Sequence, residues 1–145
     1  MARSNQVHLA LQWSGGLRFL ARTPVGDLVL DGDAAAGPSP VQALALALAS
    51  CMGTDVVDIL AKGRFTVEGC DVVFDGERRP EDPRRFLAIS LRFLVRGAIP
   101  PDRIERAIAL SKDHYCSVWH SLNPDIAFTT SFELQGPESK GATGA

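Results

Sequence analysis

Apolar and polar residues alternate along the first thirty positions with the period of two that is typical of β-strands. One face of an extended chain over residues 7–13 carries only apolar side chains: Val7, Leu9, Leu11 and Trp13. The turn residues Ser14-Gly15-Gly16 follow, and residues 17–22 and 28–30 provide two more short apolar strands around a turn at 24–27. The pattern therefore predicts a three-stranded β-meander at the start of the chain.

A long helix is predicted over residues 40–62, after a loop at 32–38. Ser39 is a good N-cap, Pro40 suits the first helical turn, and Gly63 is expected to end the helix. The first half of this helix is apolar on every side, which is unusual for a helix with one face in water. It must be covered all round, so we place it at the centre of the fold or of a dimer.

In the second half of the chain, segments with the strand period of two alternate with segments that have helical spacing. Its predicted elements are a strand at 65–74, a charged and mobile hairpin tip at 76–85, a strand at 87–95, a helix starting at Pro100-Pro101, a short helical segment at 114–122 that carries Cys116, and a strand at 126–134. Hairpins dominate this order, so we expect an α+β fold with a mostly antiparallel sheet packed against the long buried helix. We predict a single domain over residues 1–135 and a disordered tail over 136–145.

Composition excludes several classes of protein. The chain has 145 residues, of which 46% are hydrophobic and 22% charged, as is usual for a soluble domain. Its 15 basic and 17 acidic residues leave a net charge of −2, which argues against a nucleic-acid partner held by a broad basic surface. We also expect no membrane partner, because no apolar run reaches about 20 residues. The N-terminus does not have the pattern of a secretory signal, so we expect a cytoplasmic protein.

The chain has three cysteines, Cys51, Cys70 and Cys116, and no CxxC pair. A cytosolic chain of this size does not need disulfides, so the thiols are either inert and buried or a redox pair. Cys70 lies in a predicted strand and is interpreted as structural. His114 and His120 flank Cys116, but the spacing H-x-C-x3-H is not a usual zinc pattern, which leaves a metal site as a minor alternative.

Three stretches together resemble the OsmC/Ohr family, and in particular its OsmC-like branch. They are Gly15-Gly16-Leu17-Arg18-Phe19, residues 37–57 with Ser50-Cys51-Met52, and residues 111–118 with His114-Tyr115-Cys116-Ser117. The resemblance implies an intertwined homodimer and a thiol-dependent peroxidase active in oxidative stress, without cofactor or metal. It implies that Cys51 attacks an organic hydroperoxide, that Cys116 resolves the product as a disulfide, and that a thiol or dithiol reduces the pair.

The resemblance also implies an arginine beside the attacking thiolate. Arg18 is the best match and Arg22 the alternative. An arginine suits this role physically, because a mid-helix cysteine needs an external cation to become a thiolate.

One position departs from the family pattern. The glutamate expected after the proline at the head of the helix is Val41 here, followed by Gln42. Gln42 is neutral and can accept one hydrogen bond from the arginine. Alternatively, an acid elsewhere in the chain replaces the glutamate as partner of the arginine: Asp31, Asp33 or Asp55. The enzyme assignment therefore keeps an alternative, a non-catalytic OsmC-like domain that binds a small apolar or thiol-reactive ligand at the dimer interface.

Overall fold

The computed structural model describes residues 4–136. Its elements are, in chain order, β1 (Leu11–Trp13), β2 (Arg18–Thr23), β3 (Gly26–Asp31), α1 (Pro40–Lys62), β4 (Gly69–Arg78), β5 (Phe86–Arg96), α2 (Pro101–Leu110), a π-helical turn (Ser111–Tyr115), α3 (Ser117–His120) and β6 (Ala127–Leu134). This is the predicted α+β fold, with its strands divided between two three-stranded sheets. The predicted tail lies outside the described residues except for Gly136.

The chain forms two compact units, Met1–Ala45 and Leu46–Ala145. The first contains the sheet β1-β2-β3 and the second the sheet β4-β5-β6. The single domain expected over residues 1–135 stays a prediction.

The first unit is the predicted antiparallel meander, and one of its faces is apolar. The strand register puts six side chains on this face: Leu11, Trp13, Phe19, Ala21, Leu28 and Leu30. Trp13 is 64% exposed and Leu28 is 49% exposed, so the face is largely uncovered. The first strand is shorter than predicted. It begins at Leu11, and a longer pairing would place Pro24, which has no N–H to donate, opposite His8.

Helix α1 has the bounds that the sequence predicts, and both of its ends are capped. At the head, Gln42 N–H donates to Ser39 Oγ (3.1 Å) and Ser39 N–H donates to Gln42 Oε1 (2.9 Å), a reciprocal capping box. At the other end Gly63 follows the last helical residue as expected, but the left-handed residue is Arg64, with φ 67°. Phe65 N–H then bonds Leu60 O (3.0 Å), which closes a Schellman turn.

The second unit contains the hydrophobic core. One stripe of α1 is buried there: Leu48, Ala49, Met52, Val56 and Leu60. It packs with the inward side chains of β5: Ile89, Leu91, Phe93 and Val95. Among the described residues, α1 is also the one helix long and apolar enough to cross a membrane by length and composition. Its buried stripe belongs to this core, as in the central helix of a soluble domain.

The sheet of the second unit is antiparallel between β4 and β5 and parallel between β5 and β6. The β5 and β6 strands lie close to their predicted bounds. Strand β4 begins and ends about four residues later than the sequence predicts. It starts at Gly69 and continues to Arg78, into the segment predicted as the hairpin tip. Gly76 allows this extension, because a Cβ there would lie 2.7 Å from the Phe86 ring and 2.8 Å from the Phe74 ring. These rings pack edge to face at 5.6 Å.

Candidate functional site

The segment around Cys116 is not the continuous helix that the sequence predicts. After α2 the chain makes one π-helical turn, closed by a bond from Cys116 N–H to Ser111 O (2.8 Å). Cys116 itself is extended, with φ −72° and ψ 100°, and α3 starts after it. The sequence predicts Cys116 inside a helical segment because helical spacing does not reveal a π-helical turn. The extra residue in that turn shifts the register and leaves Cys116 in extended backbone. As a result Cys116 caps α3, and its Sγ accepts the N–H of Trp119 at 3.3 Å.

The two motif cysteines meet in the second unit. Cys51 lies in α1 next to Met52 of the buried stripe and is half-buried, whereas Cys116 is completely buried. The side chains are in hydrogen-bonding contact, and both are free thiols. The Trp119 ring packs on Phe128 of β6 with centroids 4.3 Å apart, which holds α3 and its capping cysteine against the sheet.

Burial raises the pKa of the Cys116 thiol to about 11. The N–H groups of Trp119 and Val118 oppose this shift by stabilising the thiolate, while the hydrogen bond and charge of Cys51 add to it. At neutral pH Cys116 is therefore protonated. Only the thiolate is a good nucleophile, so Cys116 by itself is a poor attacking group.

A second contact joins α1, which carries Cys51, to the π-helical turn that directly precedes Cys116. Ser111 Oγ donates to Asp55 Oδ2 at 2.7 Å, between the π-helical turn and α1. Asp55 is one helical turn after Cys51, and Ser111 has no exposed surface. Sequence reasoning noticed Asp55 but missed Ser111, whose only signal is a small polar residue after an apolar helix face.

The candidate arginines both lie on β2 in the first unit, where each faces an acid on β3. Arg18 stands opposite Asp31, and Arg22 opposite Asp27. Hydrogen bonds from the N–H groups of Ala36 and Asp33 lower the pKa of the buried Asp31 carboxyl, and the positive charge of Arg18 lowers it further. Among the acids considered as partners of the arginine, Asp31 interacts electrostatically with Arg18, and Asp55 accepts a hydrogen bond from Ser111.

Asp31 also organises the loop that leads into α1. Its Oδ1 accepts the N–H of Asp33 at 2.9 Å, and its Oδ2 accepts that of Ala36 at 2.9 Å and that of Ala35 at 3.3 Å. Gly37 lies against the backbone of Val29, where no Cβ fits. The first turn of α1 has no acid, and the Gln42 oxygen is used in the capping box. The loop and helix head are therefore held by Asp31 and Ser39.

We expect this loop to loosen in acid. The pKa of Asp31 is lowered in the folded chain, so its stabilising effect is complete above its ordinary value of 3.8 and is lost as the pH falls below it. The measurement is the hydrogen-exchange protection of the Ala36 amide, normalised to intrinsic exchange, between pH 6 and pH 2.5. Asp31→Asn should reduce this protection already at pH 6, because an amide has one acceptor oxygen. Asp33→Asn, an exposed acid in the same loop, should leave it unchanged, and equal protection in all three proteins would contradict the assignment.

Cys70 does not take part in the thiol contact. Burial raises the pKa of its thiol. It lines a groove between α1 and β4 with a cavity volume of about 670 Å³. The groove is mostly apolar and is lined by Leu46, Ala49, Ser50, Gly53, Thr54, Val57, Asp58, Ala61, Cys70 and Val72. We refer to these residues as the α1–β4 groove.

The two histidines near Cys116 do not gather around it as ligands. His114 and His120 are exposed, and the His114 ring packs on Tyr115 with centroids 6.3 Å apart. Within residues 4–136, no group of three or more His, Cys, Asp or Glu side chains is placed to hold a metal ion.

Comparison with known proteins identifies the family of this chain. The model of the family described as OsmC-like protein matches residues 31–131. Protein YhfA of Escherichia coli K12 is 39% identical over 127 residues, which cover 86% of this chain and 95% of YhfA. A hypothetical protein from Aquifex aeolicus is 27% identical, with a TM-score of 0.86 and coverage of 93% of this chain and 100% of that one.

A more distant similarity extends to proteins with a named role. The organic hydroperoxide resistance protein OsmC of Legionella pneumophila shares the fold, with a TM-score of 0.66 and 14% identity over 89% of this chain and 98% of that one. The family model covers more than half of the chain, and YhfA matches almost over its full length. The chain therefore belongs to the OsmC-like family.

Proposed function

We propose that this protein is a thiol-dependent peroxidase that reduces organic hydroperoxides through Cys51 and Cys116. The observation that carries the proposal is the contact between one half-buried and one fully buried free thiol in the second unit. The substrate class is taken from fold relatives named as organic hydroperoxide resistance proteins, from Legionella pneumophila and Bacillus subtilis. The reductant is a small thiol or dithiol, which is consistent with a cytoplasmic location.

The burial of each thiol supports the division of roles. Cys51 is the partly exposed one, so its thiolate attacks the peroxide, the O–O bond breaks, and the products are a sulfenic acid on Cys51 and an alcohol. The buried Cys116 thiol then attacks the sulfenic sulfur, and its proton leaves with the hydroxyl group as water. The resulting disulfide takes two electrons and two protons from a dithiol, which is released in its oxidised form.

Arg18 is proposed as the cation that stabilises the attacking thiolate. Its partner Asp31 is held by three backbone N–H groups, so the acid that faces Arg18 is itself fixed in position. This arrangement supplies, from the end of β3, the carboxylate that Val41 does not supply at the head of α1.

The peroxidase is tested with the pure protein, cumene hydroperoxide and a dithiol. The proposal expects hydroperoxide consumption well above that of the Cys51→Ser variant. Consumption equal to that variant would contradict it.

We further propose that the working unit is a homodimer. The first unit has an uncovered apolar sheet face, and the second has the α1–β4 groove, where Leu46 is 60% exposed. Apolar surfaces of this extent are rare on monomers and usually mark an interface. Small residues along the groove, Ala49, Gly53 and Ala61, allow a helix to approach closely.

The dimer is tested by Leu46→Glu, which puts a charge into the α1–β4 groove. We expect the dissociation constant measured by sedimentation equilibrium to rise about 30-fold or more, the effect of losing an interface hot spot of about 2 kcal/mol. Leu87→Glu is the matched control, because Leu87 is also exposed, at 36%, but lies outside the groove. A wild-type protein that is monomeric at tens of micromolar would contradict the dimer.

A second candidate function is favoured by the head of α1. Val41 replaces the expected acid, and the groove in the second unit is apolar, as a site for a small apolar ligand requires. Under this alternative, the Cys51→Ser, Cys116→Ser double variant retains a hydrophobic ligand as well as the wild type does. Loss of binding together with the thiols would favour the peroxidase.

A further inference from the structure

The hydrogen bond between Asp55 and Ser111 runs beside the contact between the two thiols. Helix α1 carries both Cys51 and Asp55, which are four residues apart and so lie on one side of the helix. The π-helical turn begins at Ser111, and its closing bond ends on the N–H of Cys116. Two contacts therefore join α1 to the segment 111–116, one between the sulfur atoms of Cys51 and Cys116 and one between oxygen atoms of Asp55 and Ser111.

We propose that the Asp55–Ser111 hydrogen bond is a brace that sets the separation of Cys51 and Cys116 and thereby the equilibrium of their disulfide. Asp55 and Ser111 are positioning residues, since neither is one of the thiols. The inference rests on the proposed thiol pair, but it does not depend on a hydroperoxide as the oxidant.

The position of Ser111 explains why the brace acts on Cys116. The carbonyl of Ser111 accepts the N–H of Cys116 at 2.8 Å, while its hydroxyl donates to Asp55 at 2.7 Å. A displacement of Ser111 is therefore transmitted to the backbone of Cys116 through a single hydrogen bond. A π-helical turn is rare and occurs mostly as a single turn next to an α-helix, and here the hydrogen bond from Ser111 to the half-buried Asp55 carboxylate holds it.

Disulfide geometry makes the separation important. The Cα atoms of a bridged pair lie within a narrow range of about 4.4–6.8 Å, and a larger separation needs backbone movement. A brace that already holds the elements together lowers the entropic cost of closing the bond. Because Ser111 is completely buried, water does not replace the lost acceptor when Asp55 is truncated.

The brace is tested by the thiol–disulfide equilibrium of Cys51 and Cys116 in mixtures of reduced and oxidised dithiothreitol. In this reaction the two protein thiols lose two electrons and two protons to the cyclic disulfide of the reagent, which becomes the dithiol. The Cys70→Ser background removes the third thiol. The fraction of oxidised protein is read by alkylation and mass, without any peroxide.

We expect Asp55→Ala and Ser111→Ala each to lower the equilibrium constant for disulfide formation about tenfold, which raises the reduction potential by about 30 mV. Asp55→Asn keeps an acceptor oxygen for Ser111 and should stay within about twofold of the wild type. The double variant with both alanines should shift no further than either single variant, because both remove one bond. Asp113→Ala removes an exposed acid from the same turn and should have no effect.

The brace would be overturned if the equilibrium constant for disulfide formation were unchanged in both alanine variants. It would also be overturned if Asp55→Asn lowered this constant as far as Asp55→Ala does. Additive shifts in the double variant would overturn it as well. If the Asp55→Ala chain does not fold, Ser111→Ala against Asp55→Asn still carries the comparison. A wild-type protein that forms no Cys51–Cys116 disulfide in any mixture would overturn both the brace and the proposed thiol pair. If the Asp55 and Ser111 variants shift the disulfide equilibrium as expected but the protein consumes no hydroperoxide, only the proposed oxidant is refuted.

Discussion

Replacing Cys51 by serine is expected to lower kcat/KM for cumene hydroperoxide about a thousandfold or more, since it removes the nucleophile itself. A serine hydroxyl is not ionised at neutral pH and does not attack a peroxide oxygen, whereas a thiolate does. The measurement is hydroperoxide loss with excess dithiol, corrected for the direct reaction of the dithiol.

Two further substitutions make this result specific. In the absence of dithiol, Cys116→Ser should consume about one equivalent of hydroperoxide and stop at a sulfenic acid on Cys51, whereas the wild type should end as the Cys51–Cys116 disulfide, because the variant has no neighbouring thiol to condense with. Cys70→Ser is the matched control and should keep kcat/KM within about twofold, because Cys70 lines the α1–β4 groove and not the thiol contact. A loss in Cys70→Ser as large as in Cys51→Ser would contradict the pair.

The resolving step should also depend on pH. The pKa of Cys116 is raised to about 11, so its thiolate is scarce at pH 7 and increases with each unit up to that value. The rate of disulfide formation in a single turnover should therefore rise between pH 7 and pH 10.

Arg18→Ala is expected to lower kcat/KM about a hundredfold, the second largest effect. The attacking thiolate needs a positive charge close by, and a guanidinium also donates hydrogen bonds to a peroxide oxygen. Arg18→Lys should recover part of the loss, because it restores the charge without the planar donor geometry. The alkylation rate of Cys51 by iodoacetamide at pH 7 should fall in parallel, which separates a thiolate effect from a loss of fold.

Arg22→Ala provides the matched control for Arg18. Both arginines lie on β2 and face an acid on β3, but Arg22 faces the exposed Asp27 and Arg18 the buried Asp31. We expect Arg22→Ala to stay within about threefold of the wild type. If it has the larger effect, the cation is Arg22, and if both variants keep full activity, the thiolate is not stabilised from β2.

Much of the fold follows from local patterns in the sequence. Ser39 as the N-cap, Pro40 in the first helical turn and Gly63 directly after the last helical residue define the bounds of α1, Pro40–Lys62. Clean alternation defines β5, because its inward side chains form the core and its outward ones do not. These signals are strong because each depends on residues at most four positions apart.

The predictions that failed all depend on contacts outside the local pattern. Strand β4 runs to Arg78 through charged residues because β5 pairs with it there, not because its own composition favours a strand. Cys116 lies outside a helix because the π-helical turn before it shifts the register, and Ser111 in that turn is held by a carboxylate 56 positions earlier. A period read along the chain does not contain this information.

The sequence by itself thus determined the α+β class and the long central helix, and it singled out Cys51 and Cys116 as the candidate pair, since periodicity, caps and motif residues are local. Only the tertiary structure decided that the two thiols touch, that Cys116 is the buried one, that Asp31 faces Arg18 and that Asp55 bonds Ser111. The physical reason is that burial and hydrogen-bond partners arise between elements distant in sequence, and they determine which polar groups are charged, held or reactive.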